Sequence, residues 1–586
     1  MASEDPSLPQ RRRVQGFAAR CSATLSLLLV GITMLSAACA PNAPAGTKQE
    51  PAAPPSVGSR LLRVGILSAD EPKDFGLAFG SISAGASEPR FMLHAPLTVY
   101  DEAGVLTPRL VERIATVENG DWRILPDGKM EVVWKLRPNV LWHDGAPLVA
   151  GDVVLGYRVA SDPKFALATS VLRQIEDVTA PDPHTVVVRW RNLFISANEM
   201  GLNTIVPIPR HRLGDLYESS DESFAASPFW NEQWVGLGPF KMTSWERGSH
   251  IEAAANEDYF LGRPRVDRVV IRYFGDTRAL IVGTLAGDVD LVPVGSMKTE
   301  EAAVLKTQWE AAGNGNVTLS YNKLGNGWFQ FRDPVAPWVD PQVRQAMTLL
   351  VDRQNMVETL HNGLSDVDDI FFRREASAYK LAQEKGLPDL KFDVNRAHRL
   401  LAQAGLARGP DGAYRSAPGA PFRLELSPAS DINSDVQTMF VVSNAWKQAG
   451  IESDHVLITP TTDRNALRSQ LKGVALNSTT QGVDSFNALV TGEISSEATR
   501  WRGTNTGGYS NPVYDDMHKR VFTTINASER EQVTADLIKF SLDNALYLPL
   551  TYSPDVSANR NVLAGVTSVV PTQRVNTWNA HLWQLG

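Results

Sequence analysis

Cysteine is nearly absent from this chain. There are two in 586 residues, Cys21 and Cys39, both near the N-terminus. The body beyond them has no thiol for a disulfide or a thiolate metal site, and at this size a hydrophobic core alone can hold it. Positive charge is also in deficit: 57 Lys and Arg stand against 65 Asp and Glu, a net of −8. That argues against a nucleic-acid partner, which needs a basic face. The ten histidines are scattered, with no HExxH and no cysteine partners, so no zinc spacing is present. No GxSxG elbow and no P-loop occur. Ser161-Asp162-Pro163-Lys164 fits S-x-x-K, but Pro163 interrupts the helical turn that motif needs, and its SDN and KTG companions are missing. His143-Asp144 precedes Gly145 in a turn, where neighbouring side chains point apart. The reading is therefore not an enzyme, with no cofactor and no metal. Long apolar runs are lacking too, apart from the N-terminal head; Val269–Phe274 and Ile281–Leu285 have only the length of a strand or a short helix.

That head is the first thing present. Arg11, Arg12, Arg13 and Arg20 precede an uncharged stretch centred on Leu25-Ser26-Leu27-Leu28-Leu29-Val30, which ends in Leu35-Ser36-Ala37-Ala38 before Cys39. A basic region, an apolar core and small residues describe a secretory signal. A cysteine directly after them resembles a bacterial lipoprotein signal, although Ser36 stands where that pattern usually has a large aliphatic residue. The expectation is a signal peptide over 1–38, acylation of Cys39, and a lipid-anchored, exported protein on the periplasmic or extracellular face of a bacterial envelope. An uncleaved anchor is the alternative, diluted by Thr24, Ser26, Gly31, Thr33 and Ser36. Residues 39–60, rich in Pro, Ala and Gly, read as a disordered linker. Losing 1–38 removes four Arg and two acids, taking the net charge from −8 to −10.

The body begins with a strand, Leu61–Leu67, followed by a Ser-, Gly- and Ala-rich loop over 68–89. Met130–Arg137 and His184–Trp190 read as strands, and Ala150–Ala160 as a helix. Trp134, Trp142 and Trp190 are expected in the core, whereas Trp328 and Trp501 are candidates for a ligand cleft. Phe392–Gly405 reads as a capped helix ended by glycine.

The run VVWKLRPNVLWHDGAPLVAGDVVLGY resembles the signature of the family 5 extracellular solute-binding proteins, the oligopeptide, dipeptide and nickel receptors of ABC importers. Gly236-Leu237-Gly238-Pro239-Phe240, Asn256–Phe260, Ala286–Leu291, Trp338–Ala346, Tyr509–Asp515 and Leu548-Pro549-Leu550 follow in family order. The resemblance implies an α/β fold with two lobes, of the periplasmic-binding-protein type II with an extra inserted subdomain. The ligand would lie in the cleft between lobes. Lobe I would take 61–315, with the subdomain near 101–235, lobe II 316–550, and 551–586 would return to lobe I through a hinge of two crossings. The implied function is to capture a small polar or peptide-like solute as a monomer and deliver it to permease subunits. The alternative is an envelope sensor, chaperone or adhesion module that keeps the fold.

The resemblance also implies a site. Gly327–Arg332 matches the strand that opens the second lobe, with Trp328 and Gln330 on the face opposite Phe329 and Phe331, although an ordinary buried strand fits the same pattern. Where peptide receptors carry a tryptophan and an aspartate that pairs with the peptide α-ammonium, this chain has Leu476–Phe486. Thr480 and Gln481 there offer neutral groups, and Asp484 is expected to cap a following helix. The expected ligand is accordingly a neutral or anionic molecule. The expected ligand-binding residues are Trp328, Gln330, Thr480, Gln481, Arg500, Trp501, Arg502 and Tyr509.

Overall fold

The computed structural model describes residues 60–586 apart from 77–82, 166–169, 203, 416–418, 429–432 and 459–463. The basic head, Cys39 and the linker through residue 59 lie outside the described residues.

Aliphatic and β-branched residues make Leu61–Leu67 a strand that pairs in parallel with Arg268–Phe274, Val64 opposite Ile271. These two sit within a seven-stranded sheet. Its order is Gly315–Ser320, Asp555–Arg560, Leu291–Val292, Leu61–Leu67, Arg268–Phe274, His250–Ala255, Phe240–Glu246. Apolar clusters cover both faces, one around Leu62, Phe75, Trp230 and Trp245 and one around Leu280, Leu305 and Trp309.

The residues between Leu67 and Phe240 include a separate antiparallel sheet of Trp122–Ile124, Met130–Lys135, Thr185–Trp190 and Ile175–Asp182. Its core holds Trp134, Trp142 and Trp190, each at most 1% exposed. Asp152 explains part of the signature run. On the first turn of helix Ala150–Ser161, its carboxylate accepts from Trp142 Nε1 at 3.0 Å, Val149 N at 3.0 Å and Arg210 N at 2.8 Å. One buried acid thus ties the helix start to the Trp142 turn and to the next helix, Arg210–Ser219.

The loop expected over 68–89 is cut short. A helix spans Ala84–Leu93, capped by Ser83, whose side chain accepts from Ala86 N, and it continues through Pro89. Helix propensity did not choose it. Gly85 lies so close to Asp70 that a Cβ would meet that carboxyl at 2.8 Å. Buried Glu88 accepts from the backbone N–H groups of Asn576 and Thr577 at 3.0 Å each, so tertiary packing fixes the helix.

The second lobe is built on a five-stranded sheet, in order Glu452–His455, Arg423–Ser427, Gly473–Thr480, Lys323–Phe329, Tyr547–Tyr552. Period two sends Trp328 and Phe329 to opposite cores. Phe329 joins Trp338, Trp446 and Leu426, and Trp328 joins Phe371, Phe486 and Tyr547.

The chain passes between the two large sheets twice, at 321–322 and at 553–554. The passages lie side by side: Ser553 N donates to Lys323 O at 2.9 Å, and Asn322 Nδ2 donates to Asp555 Oδ2 at 3.2 Å. The first lies a few residues beyond the expected break at 315/316, because Gly315–Ser320 pairs with Asp555–Arg560 and so stays in the first sheet.

Candidate functional site

A cavity of about 750 Å³ opens between the inserted sheet unit and the second lobe. Arg173, Leu193, Phe194, Ser196 and Glu199 line it from the first side, and Asp484, Asn487, Arg502, His518, Lys519 and Phe522 from the second. A smaller chamber of about 130 Å³ adjoins it, sharing Glu199 and Thr204 and adding Arg90, Tyr100 and Gln573. The two sides touch beside the cavity. Phe522 packs against the cores of both, and Ile525 against that of the inserted unit.

Local structure explains how the acids reach this place. Met200 N donates to Thr98 Oγ1 at 2.8 Å and Thr98 N to Met200 O at 3.2 Å, pinning the loop after Thr185–Trp190 to the strand Thr98–Tyr100. Glu199 and Tyr100 are thereby neighbours, and their side chains hydrogen-bond. On the opposite wall, strand Gly473–Thr480 ends at Gly482, whose φ of 118° suits only glycine. The chain then enters a 3₁₀ turn, Val483–Leu489, anchored by fully buried Phe486.

Electrostatics single out the same pair. Burial raises the Glu199 carboxyl above the usual range against hydrogen bonds from Ser196 and Tyr100, and the negative charge of Asp484 adds to the rise. Burial likewise raises Asp484, which protein surrounds on most sides although its own surface stays accessible through the cleft. Two carboxyls with raised values on facing walls suit a cation between them. Burial lowers His518 to about 4, so it is neutral at pH 7, with Nε2 2.8 Å from Asn487 Oδ1. Among the described residues, no group of three or more His, Cys, Asp or Glu could hold a metal ion.

The expected site residues mostly stand elsewhere. Trp328 is 7% exposed and packs on Tyr547 with ring centroids 5.5 Å apart. Gln330 is buried and donates from Nε2 to Arg468 O at 2.9 Å. Tyr509 is buried edge-on against Phe331 at 4.9 Å. These three side chains serve second-lobe packing. Thr480 and Gln481 lie at the first crossing, where Gln481 N donates to Asn322 O at 2.9 Å. Arg500 and Trp501 form a turn with φ of 51° and 59°, Arg500 being exposed. Arg502 alone of the eight lines the large cavity.

Asp484 is not a helix cap. The cap position falls on Gly482, and Asp484 sits inside the 3₁₀ turn. Where neutral hydrogen-bonding groups were expected, the cavity is lined by three acids, Glu199, Asp484 and Glu493, together with the cations Arg173, Arg502 and Lys519. Glu199 and Tyr100 went unread because no local spacing marks a loop glutamate that a distant strand holds in place.

Comparison with known proteins converges on one family. The family described as bacterial extracellular solute-binding proteins, family 5 Middle, matches residues 116–490. The oligopeptide-binding protein AppA of Bacillus subtilis is 26% identical over 434 residues, covering 73% of this chain and 74% of its own. The oligopeptide-binding protein of Thermus thermophilus, complexed with pentapeptide, superposes with a TM-score of 0.69 at 19% identity, covering 90% of this chain and 96% of that one. NikZ of Campylobacter jejuni, in complex with Ni(L-His), gives 0.68 at 21%, covering 90% and 100%.

Proposed function

This chain belongs to the bacterial extracellular solute-binding proteins of family 5, and from that premise we propose that it captures a short zwitterionic, peptide-like solute in the cleft between its lobes. The family binds solutes and performs no chemistry on them, as the substrate-binding components of ABC importers. The observation that carries the ligand class is the facing pair Glu199 and Asp484, one on each wall, with Arg502 and Lys519 on the second-lobe wall. The acids match an ammonium. The cations match a carboxylate, with Phe194 and Phe522 offering apolar surface between. The peptide in the Thermus thermophilus complex and the oligopeptide-binding name of the Bacillus subtilis relative support the same class.

A buried ammonium that loses its carboxylate partner bears a cost of several kcal/mol. Calorimetry with a mixture of di- to pentapeptides should therefore give binding that weakens about 100-fold or more on N-acetylation, and comparably in Asp484→Asn or Glu199→Gln. Because both carboxyls are raised, affinity should fall as pH drops, starting above the ordinary carboxylate range near pH 4. Equal binding of free and acetylated peptides would sink the reading.

The lobes would divide at the two crossings, with 61–320 and 555–586 in the first and 323–552 in the second. The N-terminal pattern supports export, acylation of Cys39 and delivery of the solute by a lipid-anchored monomer to permease subunits. More than one acyl chain is needed for stable anchoring. Cys39→Ser should leave the protein unprocessed or release it from membranes, which fractionation and mass spectrometry of the N-terminus decide.

A further inference from the structure

Gln481 stands at the point where the cleft wall meets the passage between lobes. Its main-chain N–H donates to Asn322 O at 2.9 Å, and its side-chain amide donates to Tyr321 O. Both acceptors belong to the two residues that link the seven-stranded to the five-stranded sheet. The turn that follows is held from within and from outside. Ser485 Oγ donates to Thr480 O, and Gly482 N donates to Phe371 O at 3.1 Å. Asp484 projects from this same turn into the large cavity.

We propose that Gln481 is a positioning residue that couples occupancy of the cleft to the angle between the lobes. Any change in that angle is absorbed by backbone torsions of a few linker residues. Rotating Tyr321 or Asn322 swings their carbonyls, and two donors on one residue cannot follow both. Gln481 therefore favours the arrangement in which Phe522 and Ile525 touch the inserted unit. With the cleft empty the two donors already hold the carbonyls, and a group bound at Asp484 fixes the turn further and strengthens that preference. The neighbouring passage is braced by Arg574 on Asp555, Nε to Oδ2 at 2.7 Å, and the same carboxylate oxygen accepts from Asn322 Nδ2 at 3.2 Å, so loosening the crossing that Gln481 holds reaches the second one as well.

The inference rests on the cleft as the ligand site. Its test uses the full chain in detergent with no ligand added, so a wrong choice of ligand leaves the outcome untouched. Hydrogen exchange by mass spectrometry is compared between the natural protein, Gln481→Leu and Gln481→Glu. Both variants lack the side-chain donor, and the second serves if the first does not fold. Exchange should rise about five- to tenfold in peptides covering 320–324, 480–486, 520–526 and 552–556, with no change in 61–67 and 130–135. A change confined to 480–486, a uniform rise across the protein, or no change would each overturn the coupling.

Discussion

A carboxyl group buried beside backbone amides is pulled two ways, and Glu88 shows which pull wins. Burial raises it from 4.5 to about 7, against the N–H groups of Asn576 and Thr577 and the Thr577 hydroxyl, which lower it. A folded value above the unfolded one means the native state holds a proton that the unfolded chain has released. Stability should then decline as pH rises from about 4.5 to about 7 and level off above, by up to about 3 kcal/mol in all. Glu88→Gln cannot titrate. Melting curves across this window should be flatter for the variant than for the natural protein. A parallel decline in both would show that another group is responsible. Little of this was legible in the sequence: Glu88 sits in a stretch read as a loop, and its partners come from the far end of the chain. Asp484 was visible as an acid near the expected clamp, yet its role depends on Glu199, which arrives from another sheet.

Elements meet tightly where Gly236 and Gly238 run past the end of helix Ala84–Leu93. A Cβ on Gly236 would lie 1.9 Å from Leu93 O, and one on Gly238 2.4 Å from Leu93 C, both backbone atoms with little freedom to give way. Gly238→Ala should thus cost more than the ~1 kcal/mol typical of a point substitution, on the order of 3 kcal/mol or loss of folding. Thermal unfolding measures it, and a shift of under ~2 °C would contradict the crowding. These glycines were readable as a family segment, as were the strands at 61–67, 130–135 and 185–190, because β-branched runs and turn residues leave local marks. Helix Ala84–Leu93 was not, since Gly85 and Pro89 argue against a helix that only Ser83, Glu88 and close packing can hold.

The whole molecule has its two largest sheets joined by two adjacent passages, with the apolar contact at Phe522 and Ile525 on the far wall of the cleft. Ligand closes such a protein only by binding the closed state better than the open one. Small-angle scattering should show a smaller radius of gyration with a saturating peptide than without. Phe522→Ala should shift the unliganded protein toward the larger value. No compaction at saturation would count against lobe closure. The two-lobed plan was legible because its pieces recur in order along the chain. The binding wall was not, because Trp328, Gln330 and Tyr509 occupy suggestive places in the sequence and are consumed by the core of the second lobe.

The position of Asp555–Arg560 inside the seven-stranded sheet has a consequence for the order of assembly. This strand lies between Gly315–Ser320 and Leu291–Val292, which make no pairing with each other. Until it arrives, the first lobe is left with an open seam and two unpaired strand edges. The second lobe holds all five of its strands within 323–552 and has no such dependence. A chain emerging N-terminus first therefore completes its later lobe before its earlier one, and residues 61–320 wait with an exposed edge through the passage of everything that follows.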